Sequence, residues 1–213
     1  MVTKSFKNMV VALGLMGMAV LAAPVFAQDS APKAAEIPMP AVPGMDEAMM
    51  AKMKEYSTPN ENHKVLDHFV GSWEYSLKWW KASDAPAEES TGTNEVKWIM
   101  DGRFIEQTTI GSMMNQPFEG RGIMGFDNLK KEYTSIWLDN MATGIMISSA
   151  TYDAATQTFS EKGSFSCPIV NGPMSFRTIT RIIDENTHTY EMYMNDKDGE
   201  EFKSMEITYQ RKK

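Results

Sequence analysis

The chain has 213 residues, of which 42% are hydrophobic and 23% are charged, and its net charge at neutral pH is -7. An acidic chain without a long basic run binds nucleic acid poorly, so we expect no nucleic-acid partner. Cys167 is the only cysteine, which excludes an internal disulfide and leaves the core to stabilise the fold. Cys167 lies among apolar residues, a pattern that predicts a buried side chain rather than a reactive thiol.

The first 27 residues match a secretory signal peptide. Lys4 and Lys7 precede an apolar run over 9–23, and the small residues around Ala27 predict cleavage after that residue. The apolar run is shorter than the ~20 residues that span a membrane, so we expect no stable membrane insertion after cleavage. The mature chain would keep 19 basic and 28 acidic residues, a net charge of -9, and would be periplasmic or secreted.

Two kinds of segment separate the signal from the strands. Residues 28–44 are rich in Ala and Pro, which predicts a flexible leader. Methionines at a spacing of four then predict a short helix over 46–56. Thr58, Pro59 and Glu61 predict the start of a second helix that ends near Phe69. We therefore expect residues 45–70 to form two short helices that pack on the following domain.

The methionines near the N-terminus allow two interpretations. As soft thioether ligands they could bind Cu(I) in an exported protein; the residues concerned are Met39, Met45, Met49, Met50 and Met53. Alternatively they pad a helix that lies across a core and acts as a lid or plug, because methionine fills irregular gaps. No His or Cys reinforces a copper site, so we expect no bound metal.

From Gly71 to the C-terminus the chain alternates apolar and polar residues, with Gly, Asn and Asp turns about every dozen residues. This pattern predicts strands joined by hairpins. The predicted strands are 71–81, 92–100, 103–111, 117–126, 131–139, 144–152, 157–166, 174–183, 187–195 and 200–210. We expect a mostly β domain over 71–213, an antiparallel meander closed into a calycin or lipocalin-like barrel of about ten strands, wide enough to hold a cavity.

Short motifs across the strand region carry a family resemblance. They include Gly71-Ser72-Trp73, Gly102-Arg103-Phe104, 117–120, 125–128, Trp137-Leu138-Asp139 and Thr143-Gly144. From about His63 to Arg211 the chain resembles an uncharacterised bacterial family, the domain of unknown function 1579 family. The resemblance implies a barrel of the calycin type, which includes lipocalins and fatty-acid-binding proteins, and it brings no established activity. It also implies that Gly71, Trp73 and Arg211 close one end of the barrel through a stacked cation and ring.

Aromatic residues on the predicted strands are candidates for the wall of a binding site. Trp137 and Asp139 lie two apart on one strand and therefore point to the same side. On an inward face they would form an apolar wall with one oriented acceptor. Alternatively, Asp139 caps the loop that follows its strand. Tyr75 and Trp98 are further candidates for the wall.

Four charged residues fall in the middle of predicted strands: Glu106, Arg177, Arg181 and Glu191. Either they line a polar cavity or they form the solvent-facing rows of their strands. Our hypothesis is that at least one acid and one arginine face inward and pair, because an unpaired buried charge is costly. The candidate ligand-binding residues are thus Tyr75, Trp98, Glu106, Trp137, Asp139, Arg177 and Glu191.

The sequence favours noncatalytic binding of a small apolar or amphipathic molecule inside the barrel. One alternative is an isomerase or hydrolase that uses Glu106 or Asp139 as an inward acid; another is a filled barrel that recognises a protein partner. The histidines His63, His68 and His188 fit no nucleophile or metal motif. We expect His188 to be exposed after a turn, no inward histidine for haem, and no other cofactor.

Overall fold

The computed structural model describes residues 44–168, 170–196 and 198–213. The predicted signal peptide and almost all of the predicted leader lie outside these residues, and so does Met39. Two helices precede the strands: α1 spans Glu47–Ser57 and α2 spans Glu61–Lys64, which continues into a 3-10 helix over Val65–Phe69. In the part of the chain that is described, no helix is both long enough and apolar enough to cross a membrane.

Ten antiparallel strands follow the helices. They are β1 Gly71–Trp79, β2 Glu88–Ile99, β3 Phe104–Met113, β4 Gln116–Asp127, β5 Glu132–Asp139, β6 Met146–Asp153, β7 Thr158–Cys167, β8 Gly172–Asp184, β9 Thr187–Asn195 and β10 Glu201–Arg211. Each strand pairs with its neighbour in sequence, and β1 also pairs with β10, with Tyr75 opposite Tyr209. The sheet therefore closes into a barrel without free edges, as the sequence predicted.

The larger of two apolar clusters lies at one end of the barrel, which we call the closed end. The 3-10 helix covers this end, and its Leu66 packs fully buried against Trp73 at the start of β1. Val96, Ile105 and Phe159 from β2, β3 and β7 belong to the same cluster. We call the opposite end, where β1 and β5 finish and β6 begins, the mouth.

The second helix begins two residues later than predicted. Asn60, not Thr58, is its N-cap: Asn60 Oδ1 accepts the Asn62 N–H at 2.9 Å, and His63 Nδ1 accepts the Asn60 N–H at 3.0 Å. Thr58 instead ends the first helix, where its hydroxyl donates to the Lys54 carbonyl at 2.6 Å. Competing side-chain caps in the run 57–60 explain the shift.

The first helix does not bury a methionine stripe. None of the residues of α1 is buried, and Met49 and Met53 are 47% and 40% exposed. No residue of α1 lines the interior cavity described below. The interpretation that α1 pads a core and covers or plugs the cavity is therefore wrong for this structure.

Candidate ligand-binding site

The barrel encloses a cavity of about 320 Å³ between the closed end and the mouth. Its floor is apolar and aromatic and includes Phe69, Val96 and Phe159. A belt of polar side chains crosses the middle of the barrel. The mouth is rich in methionine, with Met113, Met141, Met146, Met192 and Met205 in the lining. The site therefore offers a largely apolar surface with a few polar groups at fixed positions.

Two aromatic rings lie against the barrel wall over glycines. A Cβ built on Gly92 would come within 2.4 Å of the Tyr75 hydroxyl oxygen, and one built on Gly120 within 2.2 Å of Trp137 Cζ2. A side chain at either glycine would displace the ring. These glycines thus hold Tyr75 and Trp137 flat along the wall and leave the centre of the barrel open.

Asp139 combines both of the roles that its position suggested. Its Oδ2 accepts the indole N–H of Trp137 at 2.9 Å, so the carboxylate orients the ring that lines the cavity. Its Oδ1 accepts the backbone N–H of Met141 at 3.0 Å and caps the loop that leaves the strand. The Asp139 carboxylate therefore connects the Trp137 ring to the loop at the mouth.

The second carboxylate in the lining is Glu161 on β7, which the sequence analysis did not single out. Its Oε1 accepts hydrogen bonds from Ser135, at 2.6 Å, and from Ser148. Its Oε2 accepts from Thr178 at 2.7 Å. Ser135 Oγ and Ser148 Oγ also lie 2.6 Å apart, with either atom as donor, so hydroxyls from β5, β6 and β8 form one network around this carboxylate in the polar belt.

A neutral part of the polar belt lies on β2 and β3. Thr109 donates to Asn94 Oδ1 at 3.0 Å, and Asn94 Nδ2 donates to Gln107 Oε1 at 3.3 Å. All three side chains line the cavity. The belt therefore carries its charge at Glu161, while Asp139 carries charge at the mouth.

Three charged residues expected in the cavity lie on the outer face. Glu106 pairs with Lys97 at 3.0 Å, and Arg177 Nε donates to Glu201 at 2.6 Å. Glu191 pairs with Arg181 at 2.7 Å and with Lys203 at 2.6 Å. These residues alternate with inward neighbours, so the hypothesis of an inward acid and arginine pair from this set is wrong. Glu106 is accordingly no candidate acid for an enzyme working in the cavity.

Trp98 also lies outside the cavity lining, although it faces the interior. Its indole N–H donates to Asp67 at 2.8 Å, and its ring packs against the core cluster at the closed end. It therefore fastens the 3-10 helix to β2. Of the seven predicted binding residues, the structure brings Tyr75, Trp137 and Asp139 to the cavity.

The closed end is held by a stacked cation and ring. The guanidinium of Arg211 lies 4.1 Å from the centre of the Trp73 ring, and Trp73 is fully buried. Arg211 Nη1 and Nη2 donate to the carbonyls of Val70 and His68, both at 2.7 Å. A Cβ on Gly71 would meet Arg211 Nη1 at 2.6 Å, so this glycine leaves room for the guanidinium.

His188 faces the interior and is only 5% exposed, which corrects the expectation of an exposed residue and of no inward histidine. Its ring centre lies 4.4 Å from that of Trp73 and 4.5 Å from that of Tyr209. Burial, then His68 and Arg211, lowers the pKa of His188 to about 3. A neutral imidazole therefore forms part of the cavity floor. In the described ranges, no group of three or more His, Cys, Asp or Glu residues could hold a metal ion.

The family model for "Protein of unknown function (DUF1579)" matches residues 58–211. The chain belongs to the DUF1579 family. The match takes in α2, the 3-10 helix and the whole barrel but leaves α1 outside. No curated protein matches the sequence.

Two solved structures share the fold of this DUF1579 protein. Rv2717c from M. tuberculosis has a TM-score of 0.56 at 13% identity, over 73% of this chain and 100% of that chain. The S-type phycobiliprotein lyase CPES from Guillardia theta has a TM-score of 0.52 at 12% identity, over 75% of this chain and 96% of that chain. At these identities the likeness shows the fold alone, a calycin-like barrel.

Proposed function

We propose that this protein is exported and binds a small, largely apolar molecule inside its barrel without catalysing a reaction. The observation that carries the proposal is the cavity of about 320 Å³, which has an apolar floor and two aromatic rings held flat against its wall. Sites for small molecules are concave, mostly apolar and furnished with a few oriented polar groups. Asp139, Glu161 and the belt at Asn94 supply those groups.

The methionines of the mouth fit this role. Methionine is flexible and polarizable, so a rim of methionines adapts to ligands of different outline. Met141 is 41% exposed and lies on the loop that Asp139 caps. A ligand could therefore enter at the mouth by displacing thioether side chains, while the closed end keeps its packing.

The direct test is native mass spectrometry of the protein purified, without denaturation, from the cells that make it. We expect a noncovalent adduct that is lost on unfolding and that extracts into an organic solvent. The denatured mass tests export in the same experiment, because cleavage after Ala27 leaves a polypeptide of residues 28–213. A native mass equal to that of the polypeptide alone would contradict the binding proposal, and a denatured mass that retains residues 1–27 would contradict cleavage.

A further inference from the structure

The charged side chains that line the cavity are all of one sign. Within the described residues the lining contains two carboxylates, Asp139 and Glu161, and no lysine or arginine. The one histidine of the lining, His188, is neutral because burial lowers its pKa to about 3. The cavity is therefore acidic, and it offers nothing to neutralise the carboxylate of a fatty acid or another anion.

The protein fixes the Glu161 carboxylate in a position to accept a hydrogen bond from a ligand. An ionised carboxylate offers about four lone-pair positions. Ser135 Oγ and Ser148 Oγ also lie 2.6 Å apart and share a hydrogen bond, so the hydroxyls of Ser135, Ser148 and Thr178 fill at most three of these positions. These hydroxyls come from three different strands and fix the carboxylate on a wall of the barrel. At least one acceptor position is left for a donor inside the cavity, where the low polarity strengthens any charge interaction.

The aromatic groups that line the cavity also favour a positively charged ligand. Burial raises the pKa of Tyr190, and the charge of Glu161 raises it further. Burial likewise raises the pKa of Tyr75 and of Tyr209. These phenols stay neutral at physiological pH, and together with Trp137 they present ring faces that attract cations. The potential inside the barrel is therefore negative from two sources, carboxylates and ring faces.

We infer that the ligand of the barrel carries a cationic nitrogen on an apolar body, with the nitrogen bound by Glu161 and the body held between Trp137 and the methionines of the mouth. This inference rests on the proposed function. It distinguishes the site from that of a carrier of fatty acids, whose carboxylate would need an inward cation. The opposing view is that Glu161 only ties β5, β6 and β8 together through the three hydroxyls.

The experiment compares three probes of equal chain length: decylamine, decanol and decanoate. Each displaces the uncharged fluorophore N-phenyl-1-naphthylamine from the protein at pH 7.5, below the micelle concentration of the probes. We expect decylamine to bind at least tenfold more tightly than decanol and decanoate to bind weakest. This order in the unaltered protein decides the inference even if a variant fails to fold.

Glu161→Gln is the matched variant, because glutamine keeps the shape and removes the charge. We expect it to lose the preference for decylamine over decanol while the affinity for decanol stays within about twofold. Glu106→Gln is the control, because it removes a carboxylate from the outer face of the same barrel; its preference should equal that of the unaltered protein.

The outcomes separate the inference from the function on which it rests. If the fluorophore and all three probes fail to bind, the proposed function is contradicted. If the probes bind with equal affinity, or decanoate binds tightest, the barrel is a binding protein and the inference about its ligand is overturned. An unchanged preference for decylamine in a folded Glu161→Gln protein would also overturn it.

Discussion

The closed end of the barrel keeps two imidazoles neutral. Burial, and then the charge of Arg211, lowers the pKa of His68 to about 4. Burial, His68 and Arg211 lower the pKa of His188 to about 3. The two rings lie 5.3 Å apart, and His68 Nε2 and His188 Nδ1 are buried without a hydrogen-bond partner among the described residues. Protonation of either imidazole therefore destabilises the native packing of the closed end.

We therefore expect stability to fall as the pH falls. An unfolded histidine binds its proton near pH 6.5, so between pH 6.5 and about 3 the unfolded chain holds more protons than the folded protein at His188. The loss of unfolding free energy at pH 5 relative to neutral pH is about 2 kcal/mol for such a residue. Urea unfolding at pH 7.5 and 5.0 measures it. In His188→Phe the loss should shrink by about that amount, and equal losses in both proteins would refute the account.

Single positions also show what strand alternation can predict. Glu161 shares the side of Phe159 and Phe165, so alternation alone indicated an inward acid. Glu106 follows Ile105, and the burial of Ile105 turns Glu106 outward. The apolar neighbours on the same side of a strand would have placed Glu161 but not Glu106, because the outward side of β3 also carries Phe104 and Ile110, which are 37% and 47% exposed.

At the scale of elements, α1 is attached to the barrel by its C-terminal end. Asn128 lies in the turn between β4 and β5, and the carbonyl oxygens of Glu55, Tyr56 and Thr58, at 2.8–3.1 Å from its Nδ2, share the two N–H groups of the amide. Its Oδ1 accepts from Asn60 at 2.7 Å. Carbonyls at the end of a helix need such partners. One buried amide therefore joins α1, the start of α2 and the sheet.

Asn128→Ala should release α1 without opening the barrel. Removing a buried amide leaves its partners unsatisfied, at a cost of about 1–3 kcal/mol. We expect faster proteolysis within 47–57 and an unchanged near-ultraviolet circular dichroism spectrum of the barrel tryptophans. Leu129→Ala is the control, because Leu129 is the exposed neighbour in the same turn. Equal proteolysis of the two variants would contradict this role of Asn128.

The elements differ in how well the sequence predicted them. The strands β5 and β9 begin and end within one residue of the predicted bounds, because alternation and turn residues agree there. The start of α2 was misplaced because Thr58, Asn60 and His63 each offer capping groups, and only tertiary contacts decide among them. The position of α1 depends on Asn128, which is 70 residues away from Thr58 in sequence, so no local pattern could reveal it.

The whole molecule is a closed barrel with a packed closed end and a mouth lined by flexible methionines. Hydrogen bonds between β1 and β10 leave the sheet without a free edge. The guanidinium of Arg211, stacked on the Trp73 ring, stabilises the closed end. The larger apolar cluster lies at that end, and a smaller one around Leu77 and Ile207 extends to the mouth methionines Met113 and Met205. Met146 at the mouth belongs to neither cluster, so its side chain can be changed without removing apolar packing from either, which gives the central claim a direct test.

That test compares two neighbouring residues of β6 in one binding measurement. Met146 lines the cavity, whereas Ile147 faces outward and is 57% exposed. We predict that Met146→Trp fills the mouth and weakens binding of N-phenyl-1-naphthylamine at least tenfold, while Ile147→Trp leaves it unchanged. Unaltered binding in a folded Met146→Trp protein, or an equal loss in both variants, would contradict a ligand site inside the barrel.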